Sequence, residues 1–589
     1  MSTDSHRSHW RWNTYLATHL FLLMTAVLVP AVSVYAQSLP TLDFTGKPGE
    51  KRPELLNNSK PSPPPALTLP TPIAPREKDP ASPLVKGFFV QKIIVTGSTA
   101  FTPEEISMLT APYENRMLTM EDLESIRREL TLLYVNKGYI NSGAIIPDQT
   151  IGDGQLTFRI VEGKLSHIAI DGNSWYKESF LQNWIARAAA PPLNILPLQD
   201  RLQLLQQDQR IDRIHAELRP GATPGESELT VRVEEKPPFS AWLAFNNYQS
   251  PSIGADRGLL TLSHQNLTGH GDVLDFTSGY SEGLNPLLDA RYAVPVNAYD
   301  TTLILRYRNN NATVVDKVFG SLDIVSKSEN FELTLRQPIY RTLSQEFALS
   351  LTAEREESKT FLLGDPFSFS PGMDNGKAVV APLRFSQEWT YRTQQQVIAA
   401  RSRLTFGLNT WNATTHGEDN IPDGEFFAWL AQLQWARILG FLDTQLIARA
   451  DLQYANDPLL PVEQIAVGGR YSVRGYRESL MVRDQAFIAS VESRIPLVRD
   501  KRWADYLQLA PFLDYGRGTN VDIPTESPTD ISSIGLGLRW GVSADKPPLL
   551  PLRAEAEIYY GHQLRRVDTP HEDLQDDGIH FQFALSAHF

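Results

Sequence analysis

The sequence predicts an α+β region of two repeated small domains followed by an all-β transmembrane barrel of about 16 antiparallel strands. Three observations carry that expectation. A β-α-α-β-β pattern occurs twice in succession; beyond Pro237 and Pro238 the helical period gives way to apolar–polar alternation; and the last strand keeps one face apolar and aromatic as far as Phe589.

At the amino end Arg7 and Arg11 precede an apolar run over 16–34, and Val34-Tyr35-Ala36 offers small residues at the usual cleavage positions. Residues 1–36 read as a secretory signal peptide, with Gln37 the mature start. An anchor helix is disfavoured, because the run is short for a ~20-residue span and contains Thr18, His19, Thr25 and Pro30. Over 37–87 prolines recur, Pro63-Pro64-Pro65 among them, with few aromatics and no period. Such a stretch buries too little apolar surface to offset its ordering entropy, so it reads as an extended, semi-rigid linker.

The first domain is placed at 88–163. Ile93-Ile94-Val95-Thr96-Gly97 is a strand and turn, and Phe101-Thr102-Pro103-Glu104-Glu105 is a capping box with proline at the first helical position. A second helix is expected over 120–137, with Leu123, Ile126, Leu130 and Leu133 on one stripe and Gly138 past its end; strands over 140–146 and 156–161 complete the unit. The pattern returns over 164–236. Ile168-Ala169-Ile170-Asp171-Gly172 repeats the opening, helices are expected over 177–189 and 198–208, and a strand over 211–218. Leu229-Thr230-Val231-Arg232-Val233-Glu234 closes the second unit as Leu156-Thr157-Phe158-Arg159-Ile160-Val161-Glu162 closes the first. Two helices on one face of a three-stranded sheet leave strand edges free, and a free edge is a template for another extended chain. Spacers with covered edges are the alternative.

Over 237–589 one face of each strand is apolar and the other polar. Phe427, Trp429, Leu433 and Trp435 oppose Gln432 and Gln434; Leu303, Leu305 and Tyr307 alternate with Arg306 and Arg308; Leu552, Ala554, Ala556 and Ile558 alternate with Arg553, Glu555 and Glu557. A two-sheet sandwich in water would show the same alternation. The last strand favours the barrel, with Ile579, Phe581, Phe583, Leu585, Ala587 and Phe589 on one face against His580, Gln582, Ser586 and His588. In hydrocarbon no backbone group goes unpaired, so the strands must close on themselves, and roughly 350 residues at about 22 per strand and connection give roughly 16 strands.

The formal charge of −13 argues against nucleic acid, which needs an excess of Lys and Arg, and the lack of cysteine excludes disulfides, thiolate metal sites and thiol catalysis. Gly279-Tyr280-Ser281-Glu282-Gly283 matches a nucleophile elbow, but it runs into Leu284-Asn285-Pro286 and another alternating strand, so it reads as a hairpin. The spacing of His264 and His270 fits no metal motif, and no Gly-x-x-x-x-Gly-Lys-Ser/Thr loop is present. Neither a catalytic residue nor a cofactor or metal site is expected.

What remains is Val467-Gly468-Gly469-Arg470-Tyr471-Ser472-Val473-Arg474-Gly475-Tyr476, a glycine-rich loop presenting the Arg474 guanidinium at a fixed place. Asp514 in Phe512-Leu513-Asp514-Tyr515-Gly516 is its candidate partner, because a planar fork matches a carboxylate at two points. Spacing alone favours two unrelated polar hairpin residues.

Signal peptide, Pro-rich linker, tandem domains and barrel together resemble the outer-membrane transporters of two-partner secretion, the TpsB type that includes haemolysin and filamentous-haemagglutinin exporters. The resemblance spans the mature chain and rests on Val473-Arg474-Gly475-Tyr476, on Phe512 to Gly516, and on Asn266-Leu267-Thr268-Gly269-His270-Gly271-Asp272. It implies that the tandem domains are periplasmic polypeptide-transport-associated (POTRA) domains, and that Val473, Arg474, Gly475 and Tyr476 lie on a loop folded into the lumen. It further implies that Asp514 and Gly516 are that loop's partners on the wall, and that Phe581, Phe583 and Phe589 form an assembly signal. The implied partners are a secreted exoprotein with an N-terminal secretion domain, the barrel-assembly machinery, periplasmic chaperones and outer-membrane lipid. A plug helix, common in such proteins, is in doubt because Gly46, Pro48, Gly49 and Pro53 interrupt its place. A barrel-insertion factor working at the barrel seam, a passive porin and a lipid-modifying enzyme are the competing readings.

Overall fold

The computed structural model describes residues 66–68, 87–151, 153–316, 319–418, 420–544, 551–569 and 573–589. The expected signal peptide and plug region, and all of the Pro-rich stretch except 66–68 and 87, lie outside them. Ala66–Thr68 form a three-residue strand, β1.

In the first unit β2 (Phe88–Val90) pairs with β4 (Arg116–Leu118). β3 (Lys92–Thr96) runs parallel to β6 (Gln155–Val161), which is flanked on its other side by β5 (Gly143–Ile145). α1 (Pro103–Thr110) and α2 (Met120–Asn136) each begin at a reciprocal capping box, Thr102 with Glu105 and Thr119 with Asp122. The buried stripe of α2 is Leu123, Ile126, Leu130 and Tyr134, packed on Leu156, Phe158 and Ile160. Leu133, expected on that stripe, is only half-buried; the 3.6-residue period puts Tyr134 one turn beyond Leu130.

The second unit contains β7 (Lys164–Asp171), α3 (Glu178–Ala186), α4 (Ile195–Gln206), β8 (Ile211–Pro220) and β9 (Glu226–Glu235). α4 starts three residues before the expected 198, because the Asn194 side chain accepts from Leu196 N and Pro197 sits in the first turn, where no N–H is required. The two units share one device. Gly97 and Gly172 both have φ near 81°, and an added Cβ would meet the Ile160 carbonyl at 2.5 Å and the Val233 carbonyl at 2.6 Å. Beyond each glycine the turn amides converge on a carboxylate: Thr99 and Ala100 on Glu162 at 2.6 and 2.9 Å, and Ser174, Trp175 and Tyr176 on Glu235 at 3.0 to 3.1 Å.

One expectation is corrected. The sheet order is β1-β8-β9-β7, with Ala66, Leu67 and Thr68 in parallel register with His215, Ala216 and Glu217. The β8 edge is therefore occupied by the chain's own Pro-rich segment instead of standing free.

The barrel strands follow in order: β10 (Phe239–Asn246), β11 (Arg257–Gln265), β12 (Val273–Ser281), β13 (Leu284–Pro295), β14 (Thr302–Thr313), β15 (Val325–Arg341) and β16 (Gln345–Leu362). Two short pieces, β17 (Asp365–Pro366) and β18 (Lys377–Val380), extend the pairing of β16 before β19 (Pro382–Arg392), β20 (Gln396–Gly407), β21 (Phe427–Ile438) and β22 (Gln445–Ala455). A two-stranded ribbon, β23 (Ile465–Val467) with β24 (Met481–Arg483), interrupts the circuit. The circuit resumes with β25 (Gln485–Lys501), β26 (Ala504–Thr519), β27 (Asp530–Ala544), β28 (Leu552–Gln563) and β29 (Ile579–His588). β29 pairs with β10, and sixteen long antiparallel strands close on themselves. Closure excludes the sandwich.

Leu243, Leu262, Leu335, Leu351, Leu433 and Phe583 are exposed on the outside, whereas Arg384, Glu388, Arg401, Gln432, Asp451 and Glu492 are buried facing the lumen. None of the described helices is long and apolar enough to cross a membrane. At the near end, Lys177 N donates to Gly269 O at 2.9 Å and Trp184 Nε1 to Asp300 Oδ1 at 2.7 Å, tying the second unit to barrel turns. Gly279 to Gly283 are the hairpin joining β12 to β13.

Candidate functional site

The segment 456–484, between β22 and β25, leaves the far rim and packs against the inner wall. Its apolar side seats Ile465, Val467, Val473, Tyr476 and Met481 on Ile488 of β25 and Ile531 of β27. The close approach depends on missing side chains. A Cβ on Gly516 would meet Val467 at 2.5 Å and Val473 at 2.8 Å, and one on Gly475, whose φ is 89°, would meet the Gly561 carbonyl at 2.6 Å. The Tyr476 hydroxyl reaches the carbonyls of Arg565 and Ser532 at 2.6 and 2.8 Å, tying the tip to the far-end loops.

This seating brings Arg474 to Asp514. Nε donates to Oδ2 at 2.7 Å and Nη2 to Oδ1 at 2.8 Å, a two-point fork, while the Arg474 amide donates to Oδ2 at 3.0 Å. The Arg474 side chain is 3% exposed and that of Asp514 0%. Nη2 also donates to Ser490 Oγ at 3.0 Å, Nη1 pairs with Glu492, and the guanidinium lies 3.7 Å from the centre of the Phe512 ring. Thus every face of the cation is answered, and a dry charge keeps its place only when it is paired and hydrogen-bonded.

Sequence reasoning missed several members of the site. Glu492 and Ser490 complete the Arg474 cradle; Arg470 pairs with Glu557 at 3.0 Å and lies 3.9 Å above the Tyr559 ring; Arg477 pairs with Asp576. Alternation places Glu492, Glu557 and Tyr559 on the lumenal face, but no local motif marks them. Phe581, Phe583 and Phe589 fall on the seam with β10: Phe581 packs 5.7 Å from Phe245, Phe589 stacks 6.0 Å from Phe239, and Phe583 faces outward.

Asn266 to Asp272 form the near-end turn between β11 and β12. Asp272 accepts from Thr268 N and Oγ1 at 2.9 and 2.8 Å and from the Tyr292 hydroxyl at 3.0 Å. Burial pushes its carboxyl up, yet these donors outweigh burial and hold it below the ordinary range. His264 and His270 pack edge-on against Phe239 and Phe180.

Residues 225–540, more than half of the chain, match the family described as haemolysin secretion/activation protein ShlB/FhaC/HecB; residues 88–163 match the POTRA domain of ShlB type. The chain belongs to that family. As a member it is an outer-membrane transporter of two-partner secretion, and not an enzyme. The outer membrane transporter CdiB of Dickeya dadantii is 25% identical over 417 residues, 66% of this chain and 69% of that protein. The hemolysin transporter protein ShlB of Serratia marcescens is 23% identical over 67% of this chain and 70% of its own. Among solved structures, CdiB from Escherichia coli superposes with a TM-score of 0.63 at 20% identity, covering 88% of this chain and 94% of that one, a likeness of fold.

Proposed function

We propose that this member of the family captures an unfolded exoprotein, through an N-terminal secretion domain, at two periplasmic POTRA domains over 88–163 and 164–236, and passes it through the lumen past loop 456–484. The fork between Arg474 and Asp514 carries the reading, because it holds that loop inside the space a polypeptide must cross. Capture by strand addition supplies main-chain hydrogen bonds, with alternate side chains giving selectivity. The β7 edge has no partner strand among the described residues, whereas the β8 edge is filled by Ala66–Thr68. Folding of the exoprotein outside supplies the driving term.

The lumen is favoured over the seam. β10 is hydrogen-bonded to β29 along nearly its whole length, from Ser240 opposite His588 to Asn246 opposite Gln582, and Phe239 and Phe589 exchange backbone bonds of 3.1 and 2.9 Å. A paired seam offers no open edge to a nascent strand. Phe581, Phe583 and Phe589 serve as the signal read by the barrel-assembly machinery after chaperone escort, and the outer apolar belt contacts lipid.

Replacing Arg474 or Asp514 by Ala strands the other charge in a dry site at a cost of about 3–5 kcal/mol. Secretion is expected to fall while heat-modifiable migration shows the barrel still folded. Wild-type export by both variants would remove the proposed role.

A further inference from the structure

Loop 456–484 is moored at a second place. Glu463, eleven residues ahead of the tip, extends its carboxylate to Arg384 on β19: Nη2 donates to Oε1 at 2.7 Å and Nη1 to Oε2 at 3.0 Å. The Arg384 Nε donates to Glu354 of β16 at 2.7 Å, and Glu354 accepts from Asn330 of β15. The side chains of Arg384 and Glu463 are 6% exposed and that of Glu354 is 4%. Gln453 of β22 donates to the Glu463 carbonyl at 3.1 Å and fixes the approach of the backbone.

The two moorings lie on separate parts of the wall. β19 and β26 stand five strands apart round a circuit of sixteen, so the loop bridges that arc of the lumenal wall. At the tip, charge pairs are backed by the apolar cluster of Val467, Val473, Tyr476 and Met481; ahead of Glu463, Leu459, Leu460 and Val462 pack with Ala378, Val380 and Phe426, and the fork with Arg384 ties the loop to β19. A cavity of about 460 Å³ begins beside Phe180 and Trp184 of the second α/β unit and runs along the wall between β11 and β22. It ends at Arg384, Val462, Glu463 and Gln464, and no residue of β25 to β29 lines it.

We propose that Glu463, Arg384 and Glu354 form the releasable latch of the transporter: Glu463 leaves Arg384 to open the roof of this cavity while Arg474 stays seated on Asp514. Arg384 is the fixed half, because Glu354 retains it on the wall when the loop departs. Glu463 is thus a positioning residue for the passage of polypeptide, set apart from the tip clamp by the strand it is tied to.

Bilayer recordings need no exoprotein, so they test the latch separately from the secretion reading. In E463Q the neutral amide cannot hold the fork, and the purified full-length channel is expected to spend about tenfold or more of the wild-type fraction of time conducting. E463D, which keeps the charge, returns part of the closure. R384K, which keeps the charge to Glu354 but loses the two-point fork, opens like E463Q and serves if E463Q fails to assemble. In the cysteine-free chain, R384C/E463C bridged by a bismaleimide is expected to stop secretion, with the unbridged pair secreting. Channels of E463Q and R384K as quiet as wild type, or undiminished secretion by the bridged protein, would overturn the proposal.

Discussion

At Gly516 one added carbon decides whether the loop can seat. The wall glycine leaves space that Val467 and Val473 fill, and a Cβ there would sit 2.5 and 2.8 Å from their methyl groups. Overpacking of this kind costs about 1–3 kcal/mol, enough to shift the loop without touching Arg474 or Asp514. G516A is therefore expected to make 468–480 sensitive to protease added from outside and to lower secretion, in a barrel that still migrates as folded. Protection equal to wild type would mean that the contact is not tight. The same reasoning explains why arginine and not lysine occupies position 474: Asp514, Glu492 and Ser490 are addressed in three directions, which a planar fork with five donors satisfies and an ammonium does not.

The strand-to-helix turns of the α/β units are organised by half-buried carboxylates, Glu162 and Glu235, at the ends of the closing strands. Burial pushes the Glu162 carboxyl up, but the Thr99 hydroxyl, the Thr99 and Ala100 amides and the Tyr134 hydroxyl outweigh it and bring it below its ordinary value. The sign follows from linkage. A carboxyl depressed in the folded state contributes stability above its unfolded pKa, about 4.3, and that contribution disappears as pH falls through the lower folded value. Hydrogen exchange at 98–101 is expected to show protection at neutral pH that fades only below the ordinary carboxylate range. In E162Q the protection is weaker at neutral pH and its acid dependence is gone; an unchanged profile would show that the turn is held by packing alone. The tandem pattern was readable because it is local: a glycine turn, two helices and a closing strand recur in order. The strand limits were less so. Only Gly143–Ile145 of the expected 140–146 is extended, since Tyr139 to Ser142 turn and the Asn141 side chain bonds to Ser227 of the neighbouring unit at 3.1 Å.

Across the assembled barrel, inside and outside differ in what a charge costs. Leu351 faces outward midway along β16, opposite Leu335 on β15, and both are exposed to hydrocarbon. L351R is expected to lower the temperature of heat-modifiable unfolding, at a cost of about 2–4 kcal/mol near the bilayer midplane. Arginine at Thr352, which faces the polar lumen, should cost much less; equal losses would mean that the outer belt is not in lipid.

Alternation along single strands divided an apolar from a polar face, the aromatic last strand favoured closure, and capping boxes and the helical period placed the helices, because those properties depend on neighbours a few residues away. The chain also displayed Arg474 and Asp514 as motif residues. Which lumenal groups meet across empty space was decided only by folding. Glu463 reaches Arg384, Glu492 joins Asp514 around one cation, and Ala66–Thr68 line up with β8, each through residues brought together by the circuit of strands or the dive of one loop. Many lumenal arginines and glutamates look alike in sequence. Their pairing depends on shear, strand spacing and loop path, which are properties of the closed barrel and of no single segment.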